Sequence, residues 1–547
     1  AGAQGTYLVV SGNGAKSPVA ISEDNPSTLS DDQNGADYIV ITHRELGWDG
    51  AGVAQSWLTE LLALRENQGL RVMAVDIEDI YDEFSYGLST PRAVKDFLSY
   101  AYQNWTSPSP RYVLLVGDGT FDPKDHMATG ATSFITPYLT ATEHMGETVS
   151  EDWLVRVSGD DAMADLFIGR LPASSLEEAD LMVQKILSYE TSGNTKDDWE
   201  KTVLLISDNQ TEDFEAAFEE MNETVASLVP AGFSSPIRGY LGDYCPVVET
   251  CSAAPLTTDL SGWITSGALI VHYSGHGSTQ IWADEHIFDT DDVSALTNPA
   301  NEEILPFFVS MSCLTGYFAY PEVFNFPSLA EELLLASDKG AVAAFMPSGM
   351  TTTEGQKILD RALFDAIFTQ DMRTLGEAIA HAKETLLSQG SQYEEVAGTF
   401  LLFGDPAMTL KVPLPHRPEG FSAQRTTTGV TLSWNGATDC NGDPVASYNL
   451  YRSTTPGGPY TQANTSPITG TQYDDTPVSA TRAQYVSTSA ASGGTYYYVV
   501  TSVDADGDES VYSQEVTNST QSTTSGTSES SGGGGGGGCF INTVAGK

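Results

Sequence analysis

Between residues 36 and 412 the chain alternates short apolar runs with helical stretches, and this alternation restricts the fold more than any other feature of the sequence. ADYIVITH (36–43), RVMAVDI (71–77), YVLLVGD (112–118), ADLFIGRL (164–171) and KTVLLISD (201–208) each read as a buried strand. The pattern continues through SGALIVHYSGHGS (266–278), EILPFFVSMSC (303–313), GAVAAFMPS (340–348) and FLLFGDPAMTLKV (400–412). Between these lie WLTELLALRENQGL, PRAVKDFLSYAYQNW, EEADLMVQKILSYE, SLAEELLLA and LGEAIAHAKETLLSQG, with apolar residues at helical spacing and, in the first, Gly69 as a stop signal. Strands without a polar face, separated by helices, predict an α/β fold whose mostly parallel sheet is covered by helices on both sides. Two α/β units side by side with a boundary near residue 195, or one long sheet, satisfy the pattern.

At PLPHRPEG (413–420) the character changes. GVTLSWNG, VASYNLYRST and GTYYYVVTSVDADGDES are alternating strands with turn residues between them, so residues 415–517 are expected to form a separate all-β sandwich. Residues 1–35 read as a lead-in or the remnant of an upstream region. Residues 518–547 read as a Ser/Thr/Gly-rich tether, with seven consecutive glycines at 532–538. The 547 residues carry 25 Lys+Arg against 73 Asp+Glu, a net charge of −48 that repels phosphate backbones and anionic head groups. Nucleic acid and membrane surfaces are thereby excluded as partners. No apolar run approaches the ~20 residues needed to span a bilayer. With few cysteines and lysines and a carboxylate-rich surface, the composition leans towards an exported bacterial or archaeal protein; oligomeric state is not legible. The five cysteines, at 245, 251, 313, 440 and 539, form no CxxC pair. Cys245 and Cys251 are spaced to close a short disulfide loop, which leaves Cys313 as a candidate free thiol.

In parallel sheets, chemistry collects beyond the carboxyl ends of the strands. ALIVHYSGHGS places His276 between Gly275 and Gly277 directly after an apolar strand, where glycines permit positive φ and leave backbone N–H groups uncovered. LPFFVSMSC places Cys313 one step beyond the next strand. If these strands are neighbours, a thiol faces an imidazole, which is the requirement for a nucleophilic thiolate with its acid–base partner. Set against this, an isolated cysteine after an apolar strand is more often inert core. His272 and His276, with His286 nearby, also raise a zinc hydrolase, though HxxxH spacing loses its helical meaning on a strand.

YSGHGSTQIW (273–282), Ser312–Cys313, YVLLVGD, LFIGRL and FGDP (403–406) resemble, in that order, segments of the gingipain-type cysteine peptidases, of the same clan as caspases and legumains. The resemblance spans residues 36–412 and implies a caspase-like catalytic domain hydrolysing peptide bonds of protein or peptide substrates through a thioester, with no catalytic cofactor. It implies Cys313 as nucleophile, His276 as its partner, the N–H groups of Gly277 and Cys313 as oxyanion hole, and Trp282 as a wall of the substrate pocket. The family's carboxylate behind the histidine maps to the strand end at Asp208, although the better-known members carry it a few residues later. Asp213 falls near the position that pairs with Arg or Lys before the cleaved bond. The sandwich resembles an immunoglobulin-like or fibronectin type III domain, and the glycine run with CFINTVAGK resembles a CFI-box sorting segment, with Cys539 as a processing or attachment site. A surface or secretion scaffold of the same fold is the alternative.

Calcium is the metal that this oxygen-rich surface suits best. Asp504, Asp506 and Asp508 alternate in DADGDES as at the start of a calcium loop, and DCNGD (439–443) offers a second acidic cluster. Neither completes the twelve-residue EF-hand pattern.

Overall fold

The computed structural model describes residues 26–245, 251–297, 304–321, 326–426, 429–476 and 494–518. Most of the lead-in, the glycine run and Cys539 lie outside them. By internal contacts the chain divides into two units, the first comprising residues 1–417 with 437–446 and 502–511, the second the remainder from 418.

The first unit is built on one ten-stranded sheet. Its strands are β1 (Tyr38–Thr42), β2 (Val72–Asp76), β3 (Tyr112–Val116), β4 (Phe167–Leu171), β5 (Val203–Ser207), β6 (Ile237–Tyr240), β7 (Ile270–Ser274), β8 (Phe307–Met311), β9 (Ala343–Pro347) and β10 (Phe400–Phe403). Across the sheet they run β2-β1-β3-β4-β10-β9-β8-β7-β5-β6. Only β9 and β10 pair antiparallel; every other pairing is parallel. Of the two arrangements that the sequence allowed, the molecule therefore adopts one long sheet, made of two parallel halves that run in opposite directions. The chain passes from the first half to the second between β4 and β5, around residue 195, and returns through β10.

Helices cover the sheet because its strands leave no face polar: β1, β3, β5, β7, β8 and β9 are buried at every position. The helix Pro91–Asn104 starts with Pro91 in its first turn and Thr90 as side-chain cap, and buries Val94, Phe97 and Leu98. Leu329–Leu335 opens on a capping box of Ser328 and Glu331.

Two of the segments that carried the family resemblance hold the fold together. In FGDP, the fully buried Asp405 accepts hydrogen bonds from Tyr38 Oη at 2.6 Å, Arg65 Nη2 at 2.8 Å and the Ala407 N–H at 2.8 Å. Arg65, equally buried, reaches Glu190 at 2.6 Å. In LFIGRL, Arg170 joins Glu151 at 2.9 Å and the carbonyl of Gly117 at 2.6 Å. Breaking a buried ion pair from one side strands the other charge, so Asp405→Ala is expected to destabilise the protein by about 3–5 kcal/mol in chemical denaturation.

The second unit is all-β. A three-stranded sheet joins Ser422–Arg425, Val430–Ser433 and Gln472–Asp475, and a four-stranded sheet joins Thr461–Gln462, Ser447–Ser453, Tyr497–Val503 and Val516–Thr517. Trp434 packs edge-on against Phe421 and Tyr448 between them.

Candidate active site

The second half of the large sheet is ordered β6-β5-β7-β8-β9, so successive strands are laid down on opposite sides of β5. The crevice beyond the carboxyl ends at such a reversal is where α/β sheets bind ligands. β7 and β8 are adjacent and parallel, with Ser274 opposite Met311. His276 and Cys313 each stand two residues past these paired positions, so two apolar strands in register carry the imidazole and the thiol to the same edge.

Their loops touch. A Cβ on Gly277 would lie 2.9 Å from both the Cys313 carbonyl oxygen and Ser312 Cβ, and one on Gly275 would lie 2.3 Å from the Tyr273 hydroxyl and 2.5 Å from Asp208 Cβ. Close approach is what these glycines supply; neither is among the glycines with positive φ, which corrects the expectation from sequence. Positive φ falls instead on Leu314, at 63°, directly after the cysteine. Cys313 is a half-buried free thiol, and its N–H has no acceptor among the described residues. The N–H of Thr351 points at its sulfur from 3.5 Å.

The His276 ring is half exposed and packs edge-on between Phe214 and Phe218. Its Nε2 lies 2.8 Å from Glu215 Oε1. Asp208, expected behind the ring, instead accepts the backbone N–H of His276 at 3.2 Å and that of Asn209 at 2.8 Å. The correction has a simple cause: Asp208 directly follows β5, too close to the sheet to reach past the backbone, whereas the turn Asp213–Glu215 carries Glu215 out over the ring. The sequence places four acids within eight positions, and in the structure Glu212 and Glu215 form the capping box that orders this turn.

The two carboxylates differ in charge behaviour. Burial, reinforced by Glu285, pushes Asp208 up to about 6 against the pull of the His276 and Asn209 N–H groups. Burial also acts on Glu215, but hydrogen bonds from the His276 ring, the N–H groups of Glu212 and Thr211 and the Thr211 hydroxyl outweigh it and hold Glu215 at about 2. The ring therefore faces an anion at neutral pH.

Three other expectations change. Trp282 is fully buried, stacked on Tyr273 at 4.4 Å and packed against Phe288 and Phe308, so it offers no face to a substrate pocket. The short strands Gly277–Ser278 and Ile281–Trp282 fold back on each other and turn the indole inward. Asp213 is exposed on its turn rather than at the bottom of a pocket. The three histidines do not converge: His272 is buried between Asn222 and Asp360, His286 is exposed beside Asp289, and no His cluster able to hold a metal occurs among the described residues.

Away from this site, Asp504, Asp506 and Asp508 do converge, with ligand oxygens within 4.8 Å of one another. Lys196 is bonded to all three, at 2.9 Å to Asp506 and 3.2 Å to Asp508. DCNGD forms a self-capped turn in which Asp439 accepts the N–H groups of Asn441 and Asp443, each at 2.9 Å. Cys245 and Cys251 are joined in a disulfide with Cα atoms 4.9 Å apart.

A model of Peptidase family C25 matches residues 31–411. Gingipain R2 of Porphyromonas gingivalis is 25% identical over 391 residues, 68% of this chain and 47% of that protein. Lys-gingipain HG66 of Porphyromonas gingivalis is 26% identical over 264 residues, 48% of this chain and 13% of that protein. The chain thus spans less than half the length of these relatives. Among solved structures, the complex of Porphyromonas gingivalis RgpB pro- and mature domains superposes with a TM-score of 0.55 at 18% identity, covering 87% of this chain and 100% of that one. The Arg specific cysteine proteinase gingipain R gives 0.53 at 19% identity, covering 90% and 99%. The likeness extends to the caspase-like architecture of sheet and helices, and the chain belongs to peptidase family C25.

Proposed function

We propose that this protein is a cysteine endopeptidase in which Cys313 and His276 act with Glu215 behind the imidazole. The observation that carries this reading is the 2.8 Å contact of Glu215 with His276 Nε2, at the end of a strand in register with the one that presents Cys313. With Nε2–H held by the Glu215 carboxylate, Nδ1 is the ring atom that exchanges the proton with sulfur and substrate. The thiolate attacks the peptide carbonyl, and the N–H groups of Gly277 and Cys313 receive the developing oxyanion. Collapse breaks the C–N bond, His276 gives its proton to the leaving amine, and a thioester remains. Water, deprotonated by the same imidazole, attacks the thioester, releases the carboxylic acid and returns the thiol.

The substrate proposed is a polypeptide with Arg or Lys before the cleaved bond. Support comes from the anionic surroundings of His276, where Asp208, Glu215 and Glu285 lie close together and Asp213 is exposed on the adjoining turn. Electrostatic attraction of this kind is salt-dependent. Peptides with Arg or Lys at that position are expected to be cleaved at least tenfold faster than neutral ones at low ionic strength, with the ratio falling in high salt. Cleavage of neutral peptides alone would overturn the specificity. Export to an oxidising compartment is supported by the disulfide of Cys245 and Cys251, and no described helix is long and apolar enough to cross a membrane.

The second unit is read as a fibronectin type III-like sandwich accessory to the peptidase. A structural calcium at Asp504, Asp506 and Asp508 fits the all-oxygen donor set but has to displace Lys196. Lys196→Ala is therefore expected to make the melting temperature rise with added calcium and fall with chelator; a variant indifferent to both would remove calcium from the proposal.

A further inference from the structure

Behind Cys313 lies a closed polar ring that the mechanism above does not use. Gln356, 3% exposed and in the first turn of the helix Thr353–Phe368, donates from Nε2 to the Ser312 carbonyl at 2.8 Å and to Thr351 Oγ1 at 2.7 Å. Thr351 Oγ1 donates to the same Ser312 carbonyl at 2.7 Å. The Gln356 amide has two hydrogens and the carbonyl two lone pairs, so each is fully used. Because Ser312 O accepts only, the nitrogen of the Gln356 amide has to face it.

The consequence reaches the reacting atoms through the peptide bond. The peptide between Ser312 and Cys313 is planar, so its carbonyl and its N–H point in opposite directions. Two hydrogen bonds that pin the Ser312 carbonyl thus aim the Cys313 N–H, and the same Thr351 whose hydroxyl closes the ring presents its own N–H to the Cys313 sulfur at 3.5 Å. Leu314 follows in the left-handed region at φ 63°, a conformation that needs its surroundings to hold it. Resting on the peptidase reading, we propose that Gln356, with Thr351, is a positioning residue that aims the Cys313 N–H at the oxyanion.

Loss of one oxyanion donor costs roughly 10²–10³ in rate, and a donor misaimed rather than removed should cost about 10–10². Gln356→Met keeps the shape and loses the donors, Thr351→Val loses the hydroxyl, and Thr351→Ser restores it. Expected for Gln356→Met and Thr351→Val is a fall in kcat of that size on a peptide amide with KM within about threefold, and recovery in Thr351→Ser. Affinity for a peptide aldehyde, whose adduct carries an oxyanion, should fall by the same factor. Alkylation of Cys313 by iodoacetamide, which forms no oxyanion, should stay within about threefold. A kcat and aldehyde affinity equal to the parent's overturn the proposal, and so does a parallel loss of alkylation and melting temperature, which marks a merely structural role. If the parent cleaves no peptide at all, the peptidase reading fails by itself, and the aldehyde comparison between parent and Gln356→Met still decides this one.

Discussion

Replacing Cys313 by alanine is expected to lower peptide hydrolysis by roughly 10⁶-fold, the scale set when the nucleophile of a triad enzyme is removed. The side chain is half buried, and the free thiol makes only long contacts with Thr351, at 3.5–3.9 Å, so the variant should fold with the parent's melting temperature. Steady-state cleavage of a fluorogenic peptide, with the melting temperature as control, measures this. Labelling makes the result specific: iodoacetamide should modify Cys313 in the parent and abolish cleavage, whereas Cys440, the other free thiol among the described residues, should be dispensable. A Cys313→Ala protein with parental activity would end the cysteine peptidase reading. An ordered parent that neither cleaves peptides nor alkylates at Cys313 would favour the scaffold of the same fold.

Glu215→Gln is expected to lower kcat by roughly 10²–10⁴, because general acid–base catalysis by an oriented side chain contributes on that scale. The amide removes the anion that steadies the imidazolium while keeping the shape of the capping turn. Asp208→Asn should cost less than tenfold, since Asp208 meets only the backbone of His276; a larger loss at Asp208 than at Glu215 would reverse the assignment. The pH dependence of stability provides a second reading. Glu215 is held at about 2 in the folded protein against an ordinary 4.5. A carboxylate lowered by folding stabilises the native state above its ordinary value and loses that contribution as pH falls towards the folded value. Between pH 4.5 and 2 the parent should therefore lose stability more steeply than Glu215→Gln, as measured by urea unfolding at stepped pH.

Much of the sheet was legible because burial on both faces leaves a mark in the chain itself. A strand such as FFVSM or YVLLV, without a polar face and flanked by helical stretches, has few alternatives to a covered parallel sheet. His276 and Cys313 were legible for the same reason, as polar groups placed at the ends of such strands. The reversal of direction at β9–β10 was not, because pairing sense depends on which strand of the second half meets the first, and apolar runs pair equally well either way.

Side chains beyond the strand ends were harder. Trp282 follows the histidine motif as a pocket wall would, yet the hairpin turns it into the core, where stacking on Tyr273 stabilises it more than exposure would. Asp504, Asp506 and Asp508 are spaced as calcium ligands, and the cation that meets them is Lys196, more than three hundred positions away. Such pairings depend on distance through space, which local spacing does not encode.

Local apolar patterning thus determined the class of fold and the placing of His276 and Cys313 beyond the carboxyl ends of two apolar strands. The tertiary structure decided which acid stands behind the imidazole, because Asp208, Glu212, Asp213 and Glu215 all follow one strand and only the path of the turn puts Glu215 on the ring. It also decided what stands behind the thiol. Gln356 lies forty-three residues beyond Cys313 on a helix of its own, and only the packing of that helix against the strand end brings its amide to the Ser312 carbonyl.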